Sequence, residues 1–511
     1  MDDWTSGYVA DIGYTFGYYV ELCPLRARLA FLNTGLVPPD NGTHCELGFG
    51  QGVSANIHTA ASASTWYATD FSPAQAGFSQ SLAKSSGADA CLFDQAFSDF
   101  CVRDDLPEFD SIGLHGIWSW ISDDNRTIIV DFIRRKLKVG GVLYISYNTQ
   151  PGWAAFAPMR HLMTEHADVM GATGMGTVKR VDGALGFAEK LLATKPMYTT
   201  ANPLVPERLA KLKEQDRQYL AHEYFNRDWQ PMHFATMANW LAPAKLDYAC
   251  SAHYLDHIDA VNFSAEQQAL LLEIPDANFR QTVRDFMVNQ QFRKDYWVKG
   301  ARRLSPLEQA EALGAQSLVL VTPRADVSLK IAGAIGEATL LESVYGPLLD
   351  ALADHKPKTI AQLGQAVKDK GVSFPQLIQA VMILAGVGHL AAVQDSALIA
   401  KAKKHADRLN AYLLDRARGS KEISHLASAV IGAGVSVGRV QQLFLLARSQ
   451  GKTQAAEWAQ FVWSIFESQS QRIVKDGKTL EAAADNIAEL TEQAQTFSAK
   501  QLPILKALQI V

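Results

Sequence analysis

The chain has 511 residues, a formal net charge of −5, 48% hydrophobic and 20% charged residues. That length exceeds what one core fills, so roughly two to four domains are expected, and the ordinary composition excludes a fibrous or disordered chain. The mild negative charge excludes a global attraction to nucleic acid or to an anionic membrane surface.

The first residues, MDDWTSGYVADIG, are acidic and lack the basic-then-apolar order of a secretory leader. An aromatic-rich stretch, YTFGYYVELCPLRARLAFLNTG, then takes on helical spacing. Next, GTHCELGFGQG reads as a brief strand breaking into a loop with Gly48, Gly50 and Gly52 at alternate positions, and VSANIHTAAS behind it reads as a helix. Glycines at such a point permit positive φ and close approach of a ligand, and the first amides of the following helix favour a polar or anionic group. A dinucleotide-binding loop has G-x-G-x-x-G. Here the spacing is E-x-G-x-G-x-G, and the leading Glu46 would repel a pyrophosphate but suits an ammonium group. A glycine-rich turn without a ligand is the alternative for this loop taken alone.

The runs that follow bear on that choice. STWYATDFSP is a second predicted strand ending in Asp70, about two dozen positions beyond Glu46, where a carboxylate suits ribose hydroxyls. GADACLFDQAF is a third, ending in Asp94, placed to accept from the exocyclic amine of a purine. FDSIGLHGIWSWI is a fourth, with His115 and Trp118 beyond its end, and LKVGGVLYISYNTQPGW a fifth, with a turn at Gly140-Gly141 before it and Tyr147-Asn148 after it. Helical stretches such as RTIIVDFIRRKLK separate the runs. The alternation predicts a parallel, doubly wound α/β sheet whose ligands sit beyond the carboxyl ends of the strands.

Residues 44–150 resemble a class I S-adenosylmethionine-dependent methyltransferase domain, with the acid-and-glycine loop, the two later acids and the GGVLYIS strand in the usual order. YLAHEYFNRDWQPMHF, SYNTQPGW, FRKDYWVKG and YGPLLDALADHKPKTIAQL resemble bacterial methyltransferases with a methyltransferase regulatory domain, a group that includes the rickettsial outer-membrane-protein lysine methyltransferases. The resemblance implies a seven-stranded Rossmann-like sheet and S-adenosylmethionine as cofactor. It further implies a cofactor site formed by Glu46, Gly48, Gly50, Gly52, Asp70, Phe71, Asp94, Gln95 and His115. An N-terminal helical cover, residues 1–35, would lie over the cofactor, with Tyr14, Tyr18 and Tyr19 as candidates to line it; a plain packing helix is the alternative.

The methyltransferase domain is expected over 36–305, with a helical insertion near 171–240 that begins after the helix APMRHLMTEHADVM. The last two strands are expected at LDYACSAHY and FRKDYWVKG. An insertion beside the pocket is a usual place for a substrate lid, and the density of polar and aromatic residues in AHEYFNRDW makes His222, Glu223, Tyr224 and Asn226 candidates for substrate contact, or alternatively a capped helix end. In the region 306–400, SLVLVT and VSLKIA are expected to pair, and residues 340–395 read as three helices followed by a β-turn with short strands, the order of a winged-helix module. Its candidate recognition helix, FPQLIQAVMILAG, contains no Lys or Arg and so lacks the means to neutralise phosphate or read guanine. Residues 401–511 read as a C-terminal helical domain broken at GAGVSVG.

Methyl transfer is an in-line displacement that needs donor and acceptor held close and collinear. An amine acceptor must lose a proton, which an aromatic, dry pocket assists by desolvation, while cation–π contacts can hold the methylated product. Candidates for that pocket are His115, Trp118, Trp120, Tyr147 and Trp153, with Tyr147 and Asn148 first for acceptor contact, and His115 and Tyr224 in supporting catalytic roles. Five cysteines without a CxxC pair point to a reducing, cytoplasmic compartment. No cluster has metal-ligand spacing, and no run of about 18 uncharged apolar residues predicts a membrane span. A protein lysine N-methyltransferase acting on a bacterial, for instance outer-membrane, protein is the leading expectation; a small-molecule methyltransferase and a non-catalytic interaction protein are the alternatives. The expected partner is a protein substrate, with a second copy of the chain left open, and no nucleic acid or stable membrane insertion is expected.

Overall fold

The computed structural model describes residues 8–9, 12–172 and 174–511. At its centre is a seven-stranded sheet: β1 (Thr43–Leu47), β2 (Thr65–Asp70), β3 (Ala90–Asp94), β4 (Phe109–Leu114), β5 (Leu137–Asn148), β6 (Leu246–Ser251) and β7 (Phe292–Lys299), in the order β3-β2-β1-β4-β5-β7-β6. β1 to β5 run parallel, and β7 enters antiparallel between β5 and β6. β1 is buried at four successive positions rather than at alternate ones, as expected where helices cover both faces. Those helices are α1 (Pro24–Asn33), α2 (Val53–Ala61), α3 (Pro73–Ser86), the short α4 (Phe97–Phe100) and α5 (Asp123–Lys136). α5 shows why its residues form a helix: Ser122 caps the Asn125 amide, with Asp123 and Asp124 in the first turn and Arg134, Arg135 and Lys136 in the last. That charge order complements the helix dipole.

One sequence expectation fails within the sheet. Gly140-Gly141 make no turn before β5 but lie inside it, Gly140 at φ +83°, where the pairing slips between Phe109 and Ser111. The extra residues form a bulge, and the strand continues to Asn148.

After β5 come α6 (Ala157–Val169) and the helical insertion, α7 (Thr177–Ala193), α8 (Met197–Ala201), α9 (Val205–Lys213), α10 (Arg217–Tyr224) and α11 (Phe234–Leu241). α6, α7, α9 and α10 enclose a small core of their own around Trp153, Phe156, Met163 and Leu209. α12 (Asp259–Asn262), α13 (Ala265–Leu272) and α14 (Ala277–Val288) link β6 to β7.

Beyond α15 (Pro306–Gly314), β8 (Ser317–Leu320) does not pair with the VSLKIA run. That run forms β9 (Lys330–Gly333), which turns back on β10 (Gly336–Thr339). β8 is instead the middle strand between β11 (Lys358–Thr359) and β12 (Leu390–Ala392). Its Leu318, Val319 and Leu320 are fully buried, so pairing on both edges covers it better than a local hairpin could. The helices α16 (Glu342–Ala351), α17 (Ile360–Val367) and α18 (Phe374–Gly386) pack on that small sheet. Among the described residues β12 alone follows α18 in that sheet, and it pairs with the upstream β8 rather than with a second wing strand. Leu377 and the run from Ala380 to Ala385 on α18 are buried.

The chain ends with α19 (Ser396–Arg416), the hairpin β13 (His425–Ser428) and β14 (Ala433–Ser436), and α20 (Arg439–Ser449), α21 (Ala455–Ser468) and α22 (Ala483–Ala507). Their core is continuous with Val53, Ile57 and Ala60 of α2 and Leu82 of α3. Among the described residues no helix is long and apolar enough to cross a membrane.

Candidate active site

The loop after β1 opens a cavity of about 180 Å³ beyond the carboxyl ends of the parallel strands, where ligands of such sheets bind. Gly50 stands at φ +57°, and among the described residues a Cβ there would meet only the Tyr14 ring edge, at 3.6 Å, on the cavity side. Its N–H donates to Asp70 Oδ2 at 2.8 Å, and the Ser72 N–H donates to Oδ1 at 3.0 Å. The loop and the acid at the end of β2 are thereby clasped together. Burial pushes the Asp70 carboxyl up to about 6 against the pull of these two amides. Gly48, Phe71 and Gln95 also line the cavity. Gly52 does not: at φ +67° it caps α2, and a Cβ would collide with the Ser79 side chain, so it serves the packing of α2 on α3.

Glu46 is 2% exposed and stands beneath this lining rather than in it. Among the described residues its Oε2 has no hydrogen-bond partner, and burial, reinforced by Asp70, pushes its carboxyl up to about 8. A buried carboxyl with one oxygen unpartnered, beside a glycine loop, fits a ligand that brings a cation. Asp94, expected to meet a purine, is exposed beside Asp70 at the end of β3 and is not among the residues that line the cavity. β3 is the edge strand, and beyond it the chain turns so that Gln95, Ala96, Phe97 and Ser98 face inward.

The opposite wall is aromatic. Tyr19 stacks on His115 with centroids 3.5 Å apart, and His115 Nδ1 lies 2.7 Å from the Tyr144 hydroxyl. Burial drives the His115 pKa down to about 3, so its ring is neutral. Tyr14 and Trp120 also line the cavity, as does Asp228 of the AHEYFNRDW segment, and so do Tyr8 and Ile117, which carry no local sequence signal. Tyr18 lies elsewhere, in the C-terminal core.

The AHEYFNRDW segment holds this wall in place. His222 lies 5.3 Å from Tyr8 and 4.9 Å from Tyr14, ring to ring, with Nε2 3.3 Å from the Ile12 carbonyl. Asn226 Oδ1 accepts from the Val9 N–H at 2.9 Å. The Tyr14 hydroxyl donates to Glu223 Oε1 at 3.4 Å, and Trp120 Nε1 donates to the Glu223 carbonyl at 3.2 Å. Burial pushes the Glu223 carboxyl up to about 7, although the Tyr14 bond lowers it.

Several expected acceptor residues stand apart from the cavity. Tyr147 is fully buried on the α5 and α11 side of the sheet, and its hydroxyl donates to Asp295 Oδ2 at 2.9 Å. Arg293 binds the same carboxylate at 2.8 Å and also Asp285. Side chains alternate along a strand: Ser146, the residue before Tyr147, receives the Gly116 N–H next to His115, so Tyr147 must face away. Asn148 is 4% exposed and does not line the cavity; its backbone N–H donates to Ser119 Oγ. Trp118 is fully buried, with Nε1 on Met232 Sδ. Tyr224 and Trp153 belong to the core of the insertion, and the Arg208 guanidinium lies 4.0 Å above the Trp153 ring.

A seven-stranded sheet with β7 antiparallel, a glycine loop clasped to the acid of β2 and a cavity over the strand ends define a class I S-adenosylmethionine-dependent methyltransferase fold. Residues 216–299 match the family described as a predicted methyltransferase regulatory domain. The chain is 41% identical over 512 residues to the uncharacterized protein sll1526 of Synechocystis sp., spanning 99% of each chain, and belongs to the same family. The structure of PKMT2 from Rickettsia typhi in complex with AdoHcy has the same fold with a TM-score of 0.69 at 16% identity, over 98% of this chain and 100% of that one. A second structure of PKMT2 gives 0.67 at 15% identity, over 96% and 99%. The shared fold therefore extends through the C-terminal helices.

Proposed function

We propose that this protein is an enzyme that transfers the methyl group of S-adenosylmethionine to an amine, and that the amine is a lysine side chain of a protein. The observation that carries the reading is the clasp between Gly50 and Asp70 over a cavity beneath which Glu46 is buried with a partnerless Oε2. In this reading the Asp70 edge takes ribose hydroxyls, the glycine loop leaves room for the chain of the cofactor, and Glu46 answers its ammonium group. The cofactor supplies an electrophilic methyl on a sulfonium.

The residues of this chain prepare the acceptor. Tyr14, Tyr19 and Trp120 present aromatic faces that exclude water and can flank a cationic product. An ammonium acceptor must give up a proton before its lone pair can attack. In this reading Glu223, whose carboxyl is pushed up to about 7, does not itself line the cavity and receives the proton through the Tyr14 hydroxyl, which takes the amine's proton as it gives its own to the carboxylate. His115 stays neutral and stacks behind Tyr19, which makes it part of the wall rather than a base.

The resemblance to lysine methyltransferases and the large modules after the sheet support a protein acceptor. The five free cysteines fit a cytoplasmic setting. One observation favours a free small amine instead: Tyr8, Tyr14, Tyr19 and Asp228 bound the cavity on the acceptor side. Incubation with methyl-labelled cofactor and a bacterial lysate separates the two. Label in protein, released as methyl-lysine on hydrolysis, is the expected result; label only in small metabolites leaves the second reading standing, and no transfer with intact cofactor binding removes both.

A further inference from the structure

Tyr18 and Tyr19 are neighbours in sequence and serve different parts of the molecule. The backbone at Tyr19 is extended, φ −121° and ψ 102°, so consecutive side chains leave on opposite sides. Tyr19 goes to the cavity and stacks on His115. Tyr18 goes to the C-terminal hairpin, where its hydroxyl accepts the Gly434 N–H at 2.6 Å. Its ring lies 4.6 Å from that of His425 and 5.2 Å from that of His58. The seat is tight, since a Cβ on Gly434 would stand 2.8–3.1 Å from the Tyr18 ring.

The backbone between the two rings is sewn to α2, the helix that starts at the glycine loop. The Tyr19 N–H donates to Ser54 Oγ at 2.8 Å, and His58 Nε2 donates to the Tyr19 carbonyl at 3.1 Å. α2 in turn rests on the C-terminal core. Gln394 Nε2 donates both to the Ala61 carbonyl at its end and to the Ala429 carbonyl beside the hairpin. The short segment that carries both rings is thus fastened to α2 at Tyr19 and to the hairpin at Tyr18, and no described residue from 425 to 437 lines the cavity itself.

We propose that the C-terminal hairpin positions the Tyr19–His115 wall through Tyr18, so that cofactor binding and the seating of the hairpin are coupled. This rests on the reading of the cavity as an S-adenosylmethionine site. Tyr18 is a positioning residue: it acts on the cavity through Tyr19. Coupling of this kind is reciprocal, so a ligand in the cavity must steady the hairpin by the same factor by which the hairpin favours the ligand.

The test uses the full chain, S-adenosylhomocysteine as the probe, calorimetry for affinity and hydrogen exchange over residues 425–437. In wild type the ligand is expected to slow exchange of the Gly434 amide, although nothing in the hairpin touches the cavity. Tyr18→Phe keeps the ring and loses the hydroxyl; it is expected to bind about 5-fold more weakly and to lose the ligand-dependent protection. Gly434→Ala, which presses on the ring, should weaken binding further. A role in stability alone would lower the melting temperature and leave both readouts in place. If wild type binds and either the Gly434 amide ignores the ligand or Tyr18→Phe binds with the parental constant, the coupling is overturned. If wild type binds no S-adenosylhomocysteine, the cofactor reading fails first and the coupling falls with it.

Discussion

On one side of the cavity, Gly50 and Asp70 are 20 residues apart and joined by a backbone N–H. On the other, Tyr14 depends on Glu223, 209 residues away, and Val9 on Asn226, 217 residues away. The first wall is made within two successive strand–helix units, and its geometry follows from the sheet. The second is assembled from an irregular N-terminal segment that the helical insertion holds in place. The difference suggests a division of labour in the proposed reaction: the local wall holds what never changes, the cofactor, and the composite wall admits what must be chosen, the acceptor. Substitutions should therefore separate cofactor affinity from turnover according to the wall they touch.

The largest effect is expected at the loop. Gly50→Val places a β-branched side chain at φ +57° and aims it into the cavity, which is disfavoured by the backbone and obstructs the ligand. Calorimetry should find no S-adenosylhomocysteine binding, with the fold retained by circular dichroism; near-parental affinity would remove the loop from the site. Glu223→Gln addresses the other wall. Turnover should fall about 100-fold and cofactor affinity should hold. The wild-type rate should rise with pH through about 7 as the Glu223 carboxyl ionises, and this limb should vanish in the variant. A parental pH profile in Glu223→Gln assigns the proton to another group.

Asp70→Ala removes one half of the clasp and should weaken S-adenosylhomocysteine binding by on the order of 1–3 kcal/mol. An unchanged dissociation constant would take Asp70 out of the cofactor's reach. Tyr147→Phe lies outside both walls. Loss of its hydroxyl bond to the buried Asp295 should lower unfolding free energy by about 1 kcal/mol and leave affinity and turnover unchanged, measured by urea titration beside the assay. A large drop in turnover at parental stability would return Tyr147 to the acceptor.

How much could be read from the chain follows the same division. The seven strands are short apolar runs between helices, and Glu46, Gly50 and Asp70 fall at their ends, so the local wall was legible. Tyr147 also falls at a strand end, but the one-residue parity that turns it from His115 towards Asp295 is a matter of register, set by the bulge at Gly140. Asp94 looked equivalent to Asp70; it differs in that β3 is the edge strand, paired on one side only, which leaves Asp94 exposed where Asp70 is buried. Of the composite wall, Tyr14, Tyr19, His115 and Trp120 stood out as aromatic candidates, but the contacts that seat them left almost no local mark. Tyr8 and Tyr14 sit in a segment without periodicity, and what seats them is a pair of contacts to His222 and Asn226. Those two residues stood out by density alone, which cannot distinguish touching a substrate from holding a wall. The pairing of β8 with β12 rather than β9 was hidden for a related reason, since an apolar strand does not name a distant partner.

The smallest effect probes the local wall most directly, because it is read in protons. In the free protein Glu46 has a carboxyl near 8, raised by burial and by Asp70. At pH 7 it is therefore mostly protonated. A ligand ammonium beside it favours the carboxylate, so binding must expel that proton, roughly nine-tenths of one at pH 7 and about one-tenth at pH 9. The sign also sets the pH dependence of the free fold. A carboxyl whose pKa is raised on folding stabilises the folded state less as pH rises from its unfolded value to about 8, and ligand should relieve that loss. Titrations of S-adenosylhomocysteine in buffers of different ionisation enthalpy give the proton count. The count should shrink between pH 7 and 9 and disappear in Glu46→Gln, which should also bind more weakly. Binding at pH 7 with no proton released would show that no ammonium comes to rest against Glu46, and the acid that heads the glycine loop would then be a buried structural group, leaving Asp70 to mark the cofactor alone.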